Sequence, residues 1–301
     1  FELVRRIKPG RTSIVFVGDP DQLPPVGAGQ VLRDLLEADE IPTARLTTVF
    51  RQDGDSPIVD GADAINAGNI PHFHADGHEV RFFDPAEAEN HPGPDHPQAA
   101  RDFEVQCTRR WVVQGVRRYA DDLGVDPIRD IQVYAPQKSG PLGLHELNDE
   151  LQKLLNPPRN ETNQNSLKIH GGFAVREGDK VMQIRNNYRM RLASVGPAVK
   201  KKERKAKRAS DAPEIDERVS VMNGQVGYVT RLDAQKSEIE VQFDDMDETV
   251  LYLRSREWRQ LSPAYAISIH RSQGSETPYA FIVLHDYMHP NLVTRPLIYT
   301  A

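Results

Sequence analysis

Residues 15–29, VFVGDPDQLPPVGAG, combine an apolar run with a turn whose side chains could do chemistry. Asp19 offers a carboxylate, and Gln22 carries a neutral amide that both donates and accepts. Such an amide suits the orientation of a water molecule or contact with a phosphate oxygen. Gly18 would allow a sharp turn, and Pro24 would stiffen the loop beyond it. A rigid polar turn with a helix cap would use the same residues, so this stretch alone leaves both interpretations open.

Two later stretches could also bind an anion. Arg51 follows the short apolar run LTTVF, and its planar guanidinium is suited to phosphate. Residues 266–276, AISIHRSQGSE, join a helical pattern to a turn with hydroxyls, an amide and an acid. Gly274 would permit close backbone approach, and exposed N–H groups there can hold an anion. An ordinary surface arginine and a helix C-cap are the alternatives.

For two further clusters, one basic and one rich in histidine, the sequence favours a surface loop over a binding site. The basic run Lys200–Arg208 could grip DNA phosphates, but an acidic flank and the lack of aromatic residues favour a solvated loop. Residues 71–79, PHFHADGHE, have a spacing that could bind a metal. No cysteine or companion site supports that, so a surface loop is favoured for its three histidines, His72, His74 and His78.

The elements that would position these side chains begin with an α/β pattern. Apolar runs predict buried strands at residues 12–17, 46–50, 130–136 and 277–286. Between them, periodic stretches predict helices at residues 29–39, 56–68, 109–124 and 143–157. The last of these helices should present one apolar stripe, formed by Leu144, Leu147, Leu151 and Leu154. Residues 84–101 are acidic and rich in proline, which predicts a loop.

From about Gly171 the hydrophobic period changes to that of short strands. Ile239, Val241 and Phe243 alternate with polar residues, as expected of a half-buried antiparallel strand. Residues 171–261 are therefore predicted to form a small β-barrel inserted into the α/β layer, with the basic loop 187–218 inside it.

Bulk properties exclude some classes of protein. The 301 residues carry a net charge of −6, so a nucleic acid would need a local basic groove. The single Cys107 fits a reducing cytoplasm and excludes an internal disulfide. No apolar stretch approaches the roughly 20 residues of a membrane helix, so no membrane partner is expected.

Several motifs occur in the order seen in one helicase family. GDPDQLPPVGAG, LTTVFRQ, YAPQKSGPLGLHELN, AYAISIHRSQGSE and LIYTA make the chain resemble the RecD/TraA type of superfamily one DNA helicases. The resemblance implies a RecA-like parallel-sheet fold with an inserted SH3-like barrel. Residues 1–45 would be a remnant of the first RecA-like domain, 46–170 with 262–301 the second, and 171–261 the barrel.

The resemblance also implies roles for individual residues. Gln22 and Arg51 would be catalytic and sense the γ-phosphate of ATP. The ATP-binding set would be Gly18, Asp19, Gln22, Arg51, Gly274 and Glu276. The set that contacts single-stranded DNA would be Pro24, Lys138, His270, Ser272 and Thr300. Thr300, with Tyr299, would lie in a strand linking the domains.

Two family motifs are missing from these 301 residues. No G-x-x-x-x-G-K-[ST] loop occurs, and the acidic metal-positioning motif is also missing. ATP and Mg²⁺ would therefore require a preceding part of the protein. The chain is expected to be the C-terminal portion of an ATP-dependent helicase, inactive alone, as a truncated gene product or an excised fragment.

By resemblance, the helicase would move 5′-to-3′ in DNA repair or recombination, with protein partners of a repair or conjugation complex. A non-enzymatic DNA- or protein-binding remnant and the motor part of a conjugative relaxase-helicase remain the alternatives.

Overall fold

One parallel and one antiparallel sheet make up most of the strand structure. The computed structural model describes residues 5–8, 10–25, 27, 29–46, 56–71, 80–158, 166–195, 218–253, 255–289 and 291–301. They fall into two units, which we call the first unit (residues 1–83 with 293–301) and the second unit (residues 84–292). The mixed α/β fold with a curled SH3-like region is as predicted. The predicted domain boundaries stay a prediction.

The described part of the first unit contains helices at the two predicted positions, 29–39 and 56–68, and a third helix near its C-terminal end. Helices α1 (Val31–Ala38) and α2 (Pro57–Ala67) lie in its N-terminal part, and the C-terminal helix is numbered α7 (Arg295–Thr300). Ser56 caps α2 by accepting a hydrogen bond from the Ile58 amide at 3.3 Å. Gly68 ends that helix in a left-handed conformation, with φ of 82°. Both ends of α2 therefore follow the predicted cap residues.

The prediction of a buried strand at residues 12–17 is wrong for this structure. The segment has no regular secondary structure, and Val15 and Val17 are 82% and 92% exposed. A parallel strand is buried only when neighbouring strands pair with it and helices cover both faces. The described part of the first unit contains helices and turns but no strand that could pair with this segment.

The second unit begins with the α/β layer. Helix α3 (Pro97–Leu123) precedes strand β1 (Ile131–Tyr134) and helix α4 (Leu144–Leu155). After the antiparallel sheet come β11 (Ala266–Ile267), α6 (Ile269–Ser272) and β12 (Tyr279–Ile282). The three strands form a parallel sheet in the order β11-β1-β12.

Two predictions for this layer need correction. The predicted loop at 84–101 is too long, because α3 begins at Pro97, a residue suited to the first turn of a helix. The predicted burial of the last strand is also wrong. β12 is an edge strand, and its Tyr279 and Ile282 are 39% and 43% exposed because no described strand covers its outer side.

The antiparallel sheet confirms the predicted β module. Its seven strands run in the order β10-β4-β7-β8-β9-β5-β6 and curl into a half-barrel. Ile239, Val241 and Phe243 are fully buried, as their alternation predicted. The basic run Lys200–Arg208 lies outside the described residues. The strands are β4 (Lys180–Gln183), β5 (Asn187–Leu192), β6 (Arg218–Val221), β7 (Val226–Asp233), β8 (Glu238–Phe243), β9 (Val250–Tyr252) and β10 (Leu261–Pro263).

The second unit also contains a short ribbon, a short α-helix and single 3-10 turns at Pro85–Glu87, His170–Gly172 and Ala193–Val195. A two-stranded ribbon, β2 (Leu167–Lys168) with β3 (Ala174–Val175), precedes the half-barrel, and helix α5 (Ser255–Trp258) precedes β10.

Helix α4 carries a buried polar stripe, Asn148 and Gln152, that its apolar pattern did not predict. Leu147 and Leu151 are buried, but Leu154 is 37% exposed, so the predicted apolar stripe ends early. Asn148, which is buried, accepts from the Ala266 amide at 3.1 Å and donates to the Ala266 carbonyl at 2.8 Å. It thereby satisfies the outer edge of β11 as a neighbouring strand would.

Asp179 joins α4 to the half-barrel. Its fully buried carboxylate accepts hydrogen bonds from the side chains of Gln152 (2.6 Å), Asn156 (2.6 Å) and Tyr265 (2.8 Å). It also accepts from the Arg176 amide at 2.8 Å. Burial raises the pKa of Asp179, and the hydrogen bonds oppose that shift. One carboxylate thus connects a helix, a turn before β4 and the chain entering β11.

Lys180 makes a second buried connection. Its ammonium donates to the Ile131 carbonyl of β1 at 3.2 Å, and the residue is only 3% exposed. Burial lowers the pKa of Lys180 to about 8, while nearby Asp244, Asp126 and Asp130 oppose the shift.

We expect Asp179→Ala to lower the free energy of unfolding of the second unit by about 3–5 kcal/mol, because its buried donors would lose their acceptor. Urea unfolding followed by circular dichroism measures this change. Asp149→Ala, at an exposed position on the same helix, should change it by less than about 0.5 kcal/mol. Equal effects of the two substitutions would contradict the role given to Asp179.

The buried Lys180 should make stability depend on alkaline pH. Folding lowers the pKa of Lys180 from 10.5 to about 8, so below pH 10.5 the unfolded chain binds more protons than the folded chain. This difference destabilises the folded state. The destabilisation is largest below about pH 8 and shrinks as pH rises towards 10.5. Between pH 7 and 9.5 the wild type should therefore gain about 2 kcal/mol relative to Lys180→Met. Parallel urea titrations at both pH values test this, and a constant difference would contradict it.

Candidate functional site

The loop after residue 17 is held together by Asp19. Its carboxylate accepts from the Asp21 amide at 3.0 Å and from the Gln22 side-chain amide at 3.2 Å. The Pro20 carbonyl accepts from the Arg33 guanidinium of α1 at 3.3 Å. Gln22 is exposed at the surface of the first unit, and its side-chain amide is positioned there by the hydrogen bond to Asp19.

Gly18 has a φ outside the left-handed region, so its backbone conformation does not itself demand glycine. A Cβ atom on Gly18 would lie 2.9 Å from the Cδ2 atom of Leu32. The loop and α1 thus approach each other closely at Gly18, and a Cβ atom there would require the end of the Leu32 side chain to shift.

The segment LIYTA is helical, so the prediction of a linking strand is wrong. Pro296 lies in the first turn of α7, where its missing N–H costs nothing, and the Thr300 hydroxyl donates to the Pro296 carbonyl at 2.6 Å. This hydroxyl spans one helical turn, which an extended strand would not allow.

Helix α7 contacts the Gln22 loop through two side chains. The Thr300 hydroxyl accepts from the Leu23 amide at 2.9 Å, and the Tyr299 hydroxyl donates to Asp19 at 3.2 Å. Burial and the Asp19 carboxylate raise the pKa of Tyr299 to about 12, so it remains a donor at neutral pH. The first unit thus brings together Asp19, Gln22 and Thr300, with exposed Pro24 on the same loop.

In the second unit, two candidate loops leave the same edge of the parallel sheet. Lys138 follows β1, and the segment from His270 to Glu276 follows the neighbouring parallel strand β11. Ligands of open α/β sheets bind beyond the carboxyl ends of such strands. The Lys138 carbonyl accepts from the His145 amide at 3.2 Å, which folds this loop over the start of α4.

The segment after β11 turns one of its hydroxyls inward. Ser272 is buried, and its hydroxyl donates to the Ile269 carbonyl at 2.8 Å. Gly274 has a φ of 83°, so it makes a turn that other residues rarely adopt. His270 and Glu276 are exposed. The roles assigned to these residues stay predictions.

Arg51 lies outside the described residues, as do His72, His74 and His78. The predicted convergence of Gln22 and Arg51 on one triphosphate is therefore untested.

Comparison with known proteins accounts for most of the chain. Family models match an AAA domain at residues 1–84, the SH3 domain of ATP-dependent RecD-like DNA helicases at residues 147–243, and a UvrD-like helicase C-terminal domain at residues 263–301. The ATP-dependent RecD2 DNA helicase of Deinococcus radiodurans is 30% identical over 302 residues, which is 99% of this chain. The chain belongs to the RecD-like superfamily one DNA helicases.

This RecD-like chain spans about a third of that relative, 32% of its length. Solved structures of Pif1 helicases are more distant. One, of DNA unwinding by two coordinating Pif1 helicases, is 15% identical, with a TM-score of 0.43 over 94% of this chain and 56% of that chain. Another, a Bacteroides Pif1 with ADP-AlF3 and ssDNA, is 14% identical, with a TM-score of 0.40 over 94% and 58%. In the described part of the chain, no helix has the length and apolar character needed to cross a membrane.

The contact between α7 and the Gln22 loop can be tested directly. Thr300→Val removes the acceptor of the Leu23 amide, so hydrogen exchange of that amide should accelerate roughly tenfold, the loss of about one hydrogen bond. Exchange measured by NMR reports this change. Thr294→Val, at an N-cap whose side chain makes no capping bond, should leave the Leu23 amide unaffected. Unchanged exchange in Thr300→Val would show that the contact is not formed in solution.

Proposed function

We propose that this chain is the part of an ATP-dependent DNA helicase that links nucleotide sensing to movement along single-stranded DNA. Membership of the RecD-like family and the order of its motifs support the reaction class. The proposed 5′-to-3′ direction and the place in DNA repair or recombination rest on the family resemblance alone.

The observation that carries the proposal is the hydrogen bond between the Leu23 amide and the Thr300 hydroxyl. It connects residues 277 positions apart in sequence and holds the loop of Gln22 against α7. A change at the Gln22 amide, such as contact with a phosphate oxygen, would reach α7 through Asp19 and Tyr299 as well. This arrangement provides a physical route from a nucleotide sensor to a second structural element.

The donors present fit contact with a terminal phosphate but do not hold a nucleotide alone. Gln22 offers an exposed amide, and Arg51 would add a guanidinium. The lysine and hydroxyl of a P-loop, which hold phosphate and Mg²⁺, do not occur in these 301 residues. ATP, when bound and hydrolysed, would supply the free energy for movement along DNA. The residues of this chain would sense its γ-phosphate. We therefore expect no hydrolysis above background from these 301 residues alone.

For DNA we propose contacts along the sheet edge formed by the loops after β1 and β11. Exposed Lys138 and His270 lie on those neighbouring loops. Contacts of this kind reach phosphates rather than base edges, so sequence preference should be weak.

A chimeric helicase tests the sensing role. Residues 1–301 would replace the matching third of the Deinococcus radiodurans helicase, and DNA-stimulated ATP hydrolysis would be measured. We expect Gln22→Ala and Arg51→Ala each to lower turnover at least tenfold, because an arginine in that role is worth about 10³–10⁵ in rate and a water-orienting glutamine serves the same step.

Matched controls are Gln30→Ala and Arg45→Ala, which remove the same side-chain types at exposed positions of the first unit. They should leave turnover within about twofold. Full activity in both Gln22→Ala and Arg51→Ala would reject the sensing role. Clear hydrolysis by the 301 residues alone would reject the need for a separate P-loop.

A further inference from the structure

One edge of the half-barrel carries side chains that the helicase motifs do not account for. Strand β6 is the last strand in the order of the sheet, and it pairs with β5. The register between the two strands shifts within β5, so that two residues, Tyr188 and Arg189, face the single Ser220 of β6. Such a β-bulge turns side chains in a new direction and is common beside functional sites.

The bulge leaves an aromatic ring at the surface. Tyr188 is 62% exposed, and Arg189 beside it is exposed as well. Single exposed aromatic residues are common and need no explanation by themselves. Tyr188 differs because its hydroxyl accepts a hydrogen bond from the Asn186 side-chain amide at 3.2 Å. The ring is therefore held in one orientation although it is exposed to water.

The turn that presents Tyr188 is anchored to the interior of the half-barrel. Asn187, the residue before it, donates to the side-chain oxygen of Gln260 at 3.0 Å. The same oxygen accepts from the fully buried Gln183 at 3.1 Å, and Gln183 in turn accepts from the Tyr252 hydroxyl at 2.8 Å. A ring fixed in this way loses less conformational entropy when a planar group stacks on it.

Two arginines lie opposite each other on the same pair of strands. Arg191 of β5 is the cross-strand partner of Arg218 of β6. Directly opposed residues of an antiparallel pair have their Cβ atoms about 4.5–5.5 Å apart, and like charges at such positions destabilise the sheet. An anion bound between the two guanidinium groups would remove that repulsion, because each group could donate hydrogen bonds to it.

The neighbouring strands do not neutralise these arginines. Arg191 also pairs with buried Leu251 of β9, which pairs with Glu240 of β8. That glutamate already forms an ion pair with Arg231 of β7 at 2.7 Å. Within the described ranges, none of the ion pairs involves Arg191 or Arg218. Both guanidinium groups are therefore available to an anionic ligand.

The alternation of β5 places these side chains on one surface. Met190 is buried, so Arg189 and Arg191 on either side of it point away from the core. Arg218 lies opposite Arg191, and Tyr188 is exposed at the bulge. We call Tyr188, Arg189, Arg191 and Arg218 the β5–β6 face. Because the chain has a net charge of −6, a nucleic acid would need a local basic surface of this kind.

We propose that the β5–β6 face binds single-stranded DNA, with one base stacked on Tyr188 and phosphates contacted by the three arginines. This inference rests on the proposed function and adds a contact surface separate from the loops after β1 and β11. Proteins that bind single strands combine a basic surface that follows the backbone with aromatic rings on which bases stack. In a duplex the base faces are already stacked on their neighbours, so the β5–β6 face should prefer single strands.

The stacking contact is tested with the 301-residue chain and a fluorescein-labelled oligo(dT) of about 16 nucleotides, by fluorescence anisotropy. Tyr188→Ala should weaken binding at least about fivefold, because a base stacked on an aromatic ring contributes that much or more. Tyr188→Phe keeps the ring and should bind within about threefold of the wild type. An abasic oligonucleotide of the same length should bind the wild type and Tyr188→Ala equally, because it has no base to stack.

The arginines are tested by the salt dependence of the same binding. Each phosphate contact on a single strand adds about 0.7 to the slope of log affinity against log salt concentration. Arg191→Ala and Arg218→Ala should each reduce the slope by about 0.7, and Tyr188→Ala should leave it unchanged. The matched controls Arg110→Ala and Tyr279→Ala remove the same side-chain types at exposed positions of the α/β layer. They should change neither the affinity nor the slope.

Three outcomes would overturn the proposal. The first is unchanged affinity in Tyr188→Ala with unchanged slopes in the arginine variants. The second is an equal loss for oligo(dT) and the abasic strand in Tyr188→Ala, which would indicate a surface for polyanions in general. The third is equal or tighter binding of a duplex of the same length.

Lys138→Ala separates this inference from the proposed contacts at the edge of the parallel sheet. A loss of affinity in Lys138→Ala with none in Tyr188→Ala would reject the β5–β6 face and leave the sheet-edge contacts standing. The reverse pattern would support the β5–β6 face and reject the contact proposed for Lys138. The sensing role of Gln22 is tested separately, by ATP hydrolysis in the chimeric helicase.

Discussion

The buried carboxylate of Asp179 is the constraint on which the second unit depends. A charge with no exposure to water is tolerated only when hydrogen bonds replace its hydration, and Asp179 accepts them from three side chains and one backbone amide. Those donors come from α4, from the turn before β4 and from Tyr265. Breaking the group would leave several buried donors unpaired, so these segments are fixed relative to one another.

That constraint extends to the candidate DNA-contacting loops. Tyr265 directly precedes β11, and Asn148, one turn of α4 before Gln152, pairs with both backbone groups of Ala266. β11 is only two residues long, too short to be positioned by its pairing with β1 alone. The polar stripe of α4 therefore sets where the chain leaves the sheet towards His270. Stability and the geometry of this edge share the same side chains.

Predictions from the sequence succeeded where the signal was local. The caps of α2 and the alternation at Ile239, Val241 and Phe243 depend on neighbouring residues, and the structure confirms them. Two of the failures depended on partners distant in sequence. Residues 12–17 and β12 have strand composition, but burial requires neighbouring strands that the described structure does not contain. The polar stripe of α4 was missed because amide side chains on a helix usually face water.

The candidate sites divide in the same way. The chemistry of Gln22 could be predicted from its motif, but not its contact with α7, because the Leu23 amide and Thr300 come from opposite ends of the chain. Close spacing drew attention to His72, His74 and His78. Those three histidines lie outside the described residues, so the structure does not test that cluster.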